Sequence, residues 1–251
     1  MIKTKEIVNY INQLLDINSF KDYCPNGLQV QGKDTIKKIV TGVTACQALI
    51  DKAIGENADL LLVHHGFFWK GEPDVLTGMK GARVASLMKH DMNLAGYHLP
   101  LDAHPKLGNN AELGKLFDLK NSQGFLVEGA PNLFWTGQTS KAQTFDSFVQ
   151  KIESKLKRPA LVEKCSESAE KIAWCTGGAQ DYIVHAIEHD CDTYITGEVS
   201  ERTIHIAREN NINFIAAGHH ATERYGIQAL GKHLAEKFGI EHVFIDIDNP
   251  A

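Results

Sequence analysis

The chain has 251 residues, 43% of them apolar, enough to fill the core of one or two domains, which excludes intrinsic disorder. Its 26 basic and 31 acidic side chains leave a formal charge of −5 with neither sign gathered into a block, so neither a nucleic acid nor an anionic membrane surface is an expected partner. The five cysteines (Cys24, Cys46, Cys165, Cys175, Cys191) form no C-x-x-C pair, which excludes a thiolate zinc knuckle or a disulfide framework and fits a reducing cytoplasm, whereas twelve histidines are an unusual abundance.

At the N-terminus, MIKTKEIVNYINQLLDI places Ile7, Tyr10, Ile11, Leu14 and Leu15 on one helical face, the pattern of an amphipathic helix rather than a signal peptide. No apolar run approaches the roughly 18 residues of a membrane span. Asn26-Gly27 in DYCPNGLQVQG reads as a turn. Then β-rich runs alternate with helical patterns: KIVTGVTA, a helix, DLLLVHHG, a helix from about Lys80, and MNLAGYH. The second half repeats the alternation with NLFWTGQTS, a helix, KIAWCTGG, a helix, TYITGEV, a helix, NFIAAGHH, a long helix and HVFIDID. This order predicts α/β architecture, with largely parallel sheets flanked by helices.

An internal repeat refines the prediction. Lys38 to Gly66 aligns without a gap on Lys171 to Val199, with 7 identities in 29 positions and apolar residues matching at most of the rest. Downstream, His98/Asp102 and His219/Glu223 each place an acid four residues after a histidine that follows a β-rich stretch. Two similar, packed α/β lobes from an internal duplication are expected, over about 1–125 and 126–251 or with segments of the two interleaved, with the joint around Gly124 to Thr136, where Gly124, Gly129 and Pro131 stand among few helix formers. Shared β-α-β patterning without duplication is the alternative.

Ligands of open α/β sheets bind beyond the carboxyl ends of the strands, and three polar clusters fall there. The run DLLLV ends abruptly in His64-His65-Gly66. Neighbouring strand residues face opposite ways, so the two rings would serve two adjacent ions at a strand end, or one would be buried and hydrogen-bonded and the other solvated. In Gly96-Tyr97-His98-Leu99-Pro100-Leu101-Asp102-Ala103-His104-Pro105, the prolines predict a fixed loop, and Asp102 would ligate a metal or cap the helix starting near Asn109. In Gly218-His219-His220-Ala221-Thr222-Glu223, the spacing of four puts His219 and Glu223 on one side of a first helical turn, unless Glu223 is an ordinary N-terminal acid. Together the clusters predict five ligands: His64, His65, Asp102, His219 and Glu223. Five exceed the needs of one ion with open positions and suit two divalent ions per chain about 3.5–4 Å apart. Nitrogen and oxygen donors without thiolate fit Zn, Fe, Mn, Co or Ni alike. His98 is a candidate for proton transfer or for orienting a ligand, with His104 and His220 behind it. His90, His185, His189, His205, His233 and His242 are expected at the surface or in packing. Gly177-Gly178 is too sparse for a dinucleotide fingerprint, and no P-loop or G-x-S-x-G elbow occurs.

The strings NGLQVQG, LLVHHGFFW, HLPLDAHPKLGNN, TGE and GHHATERYG, in this order across nearly the whole chain, resemble the Nif-three-like dinuclear-metal family, whose members are named as GTP cyclohydrolase I type 2 homologues. The family's paired histidines match His64 and His65, its loop aspartate Asp102, and its H-x-x-x-E pair His219 and Glu223. The resemblance implies two α/β lobes with metals between them in a homohexameric trimer of dimers. It further implies a dinuclear-metal hydrolase that opens the GTP imidazole ring with release of formate, a nucleotide being the small-molecule substrate. The same metal chemistry would serve an amidase or phosphoesterase, and the competing reading is a non-catalytic, metal-handling or regulatory ring. A ring associated with DNA or RNA is disfavoured by the net charge.

Overall fold

Strand-forming runs separated by amphipathic helices bury both kinds of surface by stacking helices on the faces of a largely parallel sheet. The computed structural model, which describes residues 1–251, does this twice. Along the chain come β1 (Ile2–Lys3), β2 (Gly27–Val30), β3 (Thr35–Ile36), β4 (Lys38–Thr44), β5 (Leu60–His65) and β6 (Asn93–Gly96). They are followed by β7 (Lys120–Val127), β8 (Ala130–Gln138), β9 (Leu161–Glu163), β10 (Lys171–Trp174), β11 (Thr193–Thr196), β12 (Asn213–Ala216) and β13 (Glu241–Phe244). One compact unit comprises Met1–Leu101 with Gly226–Asp248, the other Asp102–Tyr225 with Asn249–Ala251.

In the first unit the sheet order is β13-β4-β5-β6-β2, with β13, β4, β5 and β6 parallel and β2 antiparallel at the edge. Along β5, Leu60 and Leu62 enter one apolar cluster with Ile7 and Ile11 of the N-terminal helix Thr4–Leu14 and with Leu230 and Leu234 of the helix Arg224–Phe238. Leu61 and Val63 enter the other, with Leu49, Ile50 and Leu87. A strand covered on both faces has no polar alternation to show, which is why DLLLV reads as an unbroken apolar run. The second unit has the order β7-β8-β10-β11-β12-β9, with β10, β11 and β12 parallel, and it too has an apolar cluster on each face. No helix of either unit is long and apolar enough to cross a membrane.

The repeat extends to individual side chains. Asp59 accepts hydrogen bonds from the Lys37 and Lys38 N–H groups at 2.8 and 3.1 Å, and Asp192, its partner in the gapless alignment, accepts from Glu170 and Lys171 N–H at 2.9 Å each. Each carboxylate ties the start of its unit's first parallel strand to the start of the second. Asn93 and Asn213, both fully buried at the start of the third, tie in a preceding segment. The Asn93 amide accepts from Gly32 N–H and donates to Lys33 O, while that of Asn213 accepts from Cys165 N–H and donates to Ser168 O.

Two expectations are corrected. The stretch Gly124 to Thr136 is not a joint but part of the β7–β8 hairpin, turning at Glu128 and Gly129, whose φ values of 52° and 83° are those of a two-residue primed turn. Along the chain the two compact units interleave, the arrangement the sequence left open beside a single division near 125. The chain leaves the first unit after Leu101 and re-enters it at Gly226, because β13 pairs in parallel with β4, Glu241 opposite Lys38, and completes the first sheet. Leu99–Ala103 is a short helix, not an irregular loop; Pro100 lies in its first turn, where a missing N–H costs nothing. The edge strands β2 and β9 carry no strong pattern, being four and three residues long.

Candidate metal centre

In the first unit the pairing of β5 with β6 ends with Val63 opposite Gly96, and His64 and His65 are the last two residues of β5. His64 is fully buried, and its Nδ1 lies 2.9 Å from the Tyr97 carbonyl oxygen. Only an N–H can face a carbonyl at that distance, so Nδ1 carries the hydrogen and Nε2 the lone pair. The His65 Nδ1 is 3.1 Å from the Thr44 hydroxyl, and the His98 Nδ1 is 2.7 Å from an oxygen of Asp22. The His64 and His65 rings, expected on opposite faces, lie with centroids 4.5 Å apart, and one nitrogen from each of His64, His65 and His98 falls within 4.8 Å of the others.

Glycine at 66 and 96 follows from the same packing. A Cβ at either position would run into the side-chain amide of Gln29, which accepts from Phe67 N–H at 2.7 Å and donates to Pro25 O at 2.8 Å. The NGLQVQG string thus fixes the turn after the paired histidines. Asn26-Gly27, expected as a turn, is instead the entry to β2, which begins at Gly27, and Asn26 accepts from His98 N–H at 2.8 Å and so braces His98.

In the second unit Asp102 is buried and accepts from Asn109 Nδ2 at 2.8 Å and from the Thr176 hydroxyl at 3.3 Å. The helix Asn109–Leu116 is capped by Gly108, so Asp102 is not its cap. His219 sits between two carboxylates, with Nδ1 2.7 Å from Glu198 and Nε2 3.1 Å from the buried Glu223. A Glu223 oxygen lies within 4.8 Å of an Asp102 oxygen and of a His219 nitrogen. Burial first, then the charges of Asp102 and Glu223, push the neighbouring Cys175 thiol well above its usual range, so it stays protonated. Gly177, at φ 68°, completes the cradle: a Cβ there would strike the Glu223 carboxylate and sit 3.3 Å from His219 Nε2.

These donor sets fit divalent cations. Two buried carboxylates this close repel unless a positive charge lies between them, and imidazoles whose Nδ1 is engaged by an outer partner are already turned to ligate through Nε2. The buried His, Asp and Glu clusters could therefore hold metal ions. Sequence reasoning missed the outer partners Asp22, Thr44 and Glu198, although each lies in a quoted run, Asp22 in DYCPNGLQVQG, Thr44 in KIVTGVTA and Glu198 in TYITGEV. His104 serves a turn, its Nδ1 accepting from Leu107 N–H at 3.0 Å, and His220 is buried. Of the remaining histidines, His189 lies 4.3 Å from the Phe125 ring, and His242 bonds the Thr41 hydroxyl at 2.8 Å.

The electrostatics of His219 predict a pH dependence. Burial lowers its pKa, but Glu223 and then Glu198 outweigh burial and raise it to about 9. The protonated ring thus stabilises the metal-free protein fully below its ordinary pKa of 6.5, and this contribution is lost as pH rises through about 9. A metal must displace that proton. Apparent affinity should climb about tenfold per pH unit through this window and level off above it, as read by chelator competition from pH 6 to 10. A flat profile would contradict the assignment.

The model of the family described as Duf34/NIF3 (NGG1p interacting factor 3) matches residues 2–250. A protein of Haemophilus influenzae named GTP cyclohydrolase 1 type 2 homolog is 54% identical over 250 residues, 98% of each chain. One of the same name from Yersinia pestis is 50% identical over 252 residues, covering all of both chains. The solved structure of protein ybgI, described as of unknown function, superposes over the full length of both chains with a TM-score of 0.95 at 48% identity.

Proposed function

Because the chain belongs to the Duf34/NIF3 family, we propose that His64, His65, Asp102, His219 and Glu223 act together as one dinuclear metal centre of a hydrolase. The observation that carries this reading is the orientation of the histidines: each Nδ1 is engaged by a carbonyl, hydroxyl or carboxylate, so Nε2 is the nitrogen a metal would take, and in His219 that nitrogen faces the buried Glu223 carboxylate at 3.1 Å.

When bound, two divalent ions supply Lewis acidity that makes water a source of hydroxide near neutral pH and polarises the bond to be cleaved. The chain's own residues do the rest. Thr176 and Asn109 orient Asp102, Glu198 orients His219, and Tyr97 and Thr44 orient the paired histidines. His98, close to these donors but not one of the five, moves the proton between water and the leaving group. The relatives' name supports a nucleotide substrate, with the GTP imidazole ring opened and formate released. Family membership supports a homohexamer built as a trimer of dimers, and cysteines without a disulfide support a cytoplasmic setting.

Elemental analysis of the purified protein, then incubation of the metal-loaded form with GTP and assay for formate, tests the proposal. About two ions per chain and formate release are expected. No bound metal after reconstitution would sink the centre. Metal without formate would remove GTP as substrate, and a His98→Ala variant that keeps both metal and cellular function would favour metal handling over catalysis.

A further inference from the structure

Asp22 has no place among the five donors, yet it is among the most completely bonded carboxylates of the first unit. It lies in the loop before β2, its side chain only 3% exposed, and its four hydrogen bonds all come from donors. The Tyr23 N–H (2.6 Å) and His98 Nδ1 (2.7 Å) reach one oxygen, and Asn26 Nδ2 (2.8 Å) and the Leu99 N–H (3.0 Å) reach the other. A protonated acid would waste one of these positions, so Asp22 is ionised, and burial is outweighed by its bonds, His98 first, which hold its pKa below the usual carboxylate range. Asp22, Cys24 and His98 are close enough to bracket an ion, but both Asp22 oxygens already face N–H groups. The cluster is a hydrogen-bonded clamp, not another metal site.

The clamp holds one ring from several sides. The His98 N–H is fixed by Asn26, the next residue's N–H by Asp22, and the imidazole lies against Trp69 at 4.9 Å between centroids, interplanar angle 80°, and Tyr23 at 6.4 Å. With Nδ1 committed to Asp22, the nitrogen that His98 offers within 4.8 Å of the His64 and His65 donors is Nε2. In this group a carboxylate stands behind Nδ1 of His98, a carbonyl behind that of His64 and a hydroxyl behind that of His65.

We propose that Asp22 is the positioning residue for His98, holding it as the Nδ1–H tautomer with Nε2 turned toward the paired histidines. The inference rests on the hydrolase reading for its consequence, since proton transfer through His98 needs that nitrogen, but not for its geometry.

The test is Asp22→Asn in the zinc-loaded, 15N-histidine-labelled full chain, read by two-bond proton–nitrogen correlations, zinc content and turnover. Asparagine keeps the shape but turns an N–H toward one pair of donors. Wild-type His98 should show the Nδ1–H pattern and the variant a shifted or mixed one. Zinc content should be unchanged and turnover reduced about 10–100-fold at constant KM. In a His98→Ala background the substitution should cost nothing further. An unchanged His98 pattern overturns the inference, and so does loss of zinc, which would place Asp22 in the metal loop's own structure. If Asp22→Asn does not fold, Asn26→Ala removes one bond to Asp22 and one to His98 and should shift the pattern in the same direction. A wild type without turnover would defeat the hydrolase reading while the tautomer result still decides for or against Asp22.

Discussion

Glu223→Gln should leave a folded protein whose metal content falls from about two ions per chain to one or fewer and whose hydrolysis falls by more than the roughly 100-fold typical of outer-partner substitutions. Glu223 is buried, has an oxygen within 4.8 Å of both Asp102 and His219, and fills the space a side chain at Gly177 would need. Glutamine keeps its volume but removes the charge that draws cations to this edge of the second unit. His219 loses its strongest partner by the same change, so the rise of metal affinity with pH should move to lower pH. Equilibrium dialysis with zinc and elemental analysis read the result. Two ions per chain held at wild-type affinity would remove Glu223 from the centre, and retention of both by His64→Ala as well would remove the centre itself.

Trp174→Ala should lower unfolding free energy by about 3–5 kcal/mol, the usual cost of deleting a large buried aromatic. Trp174 is fully buried at the end of β10, lies 5.9 Å from Trp135 between centroids, and donates from Nε1 to the Asn110 carbonyl at 2.9 Å. Gly114 and Gly137 are without side chains where its ring passes, since a Cβ at either would come within 2.8 or 3.1 Å of it. The consequence reaches the site. Asn110, four residues before Gly114 on the same helix, accepts from Thr176 N–H at 3.0 Å, and Thr176 donates to Asp102. Trp174→Ala should therefore weaken metal binding as well as stability, whereas Trp174→Phe, which keeps most of the ring, should cost less on both counts. Denaturant titration followed by zinc competition on the same samples checks this; a loss below about 1 kcal/mol would show that the cavity collapses without strain.

Much of the architecture was legible because it depends on local pattern. The parallel strands β4, β5, β10 and β11 fall where their apolar runs fall, and the gapless repeat carries each of the first pair onto its counterpart. Continuous apolar runs with helices between them have few ways to bury both surfaces, so α/β layers follow from composition and spacing. The hairpin at Glu128-Gly129 was misread because glycine and proline mark a joint and a tight turn alike, and only the pairing of β7 with β8 separates the two.

By itself the sequence determined the kind of chemistry available: histidines and acids at strand ends and no thiolate pairs. Tertiary structure decided which nitrogen each histidine presents. That choice is made by groups distant in the chain, Tyr97 for His64, Thr44 for His65, Asp22 for His98 and Glu198 for His219. It also decided that the C-terminal helix and β13 belong with the first sheet, because an unfilled parallel edge at β4 takes the strand whose side chains fit it, wherever that strand lies in the sequence.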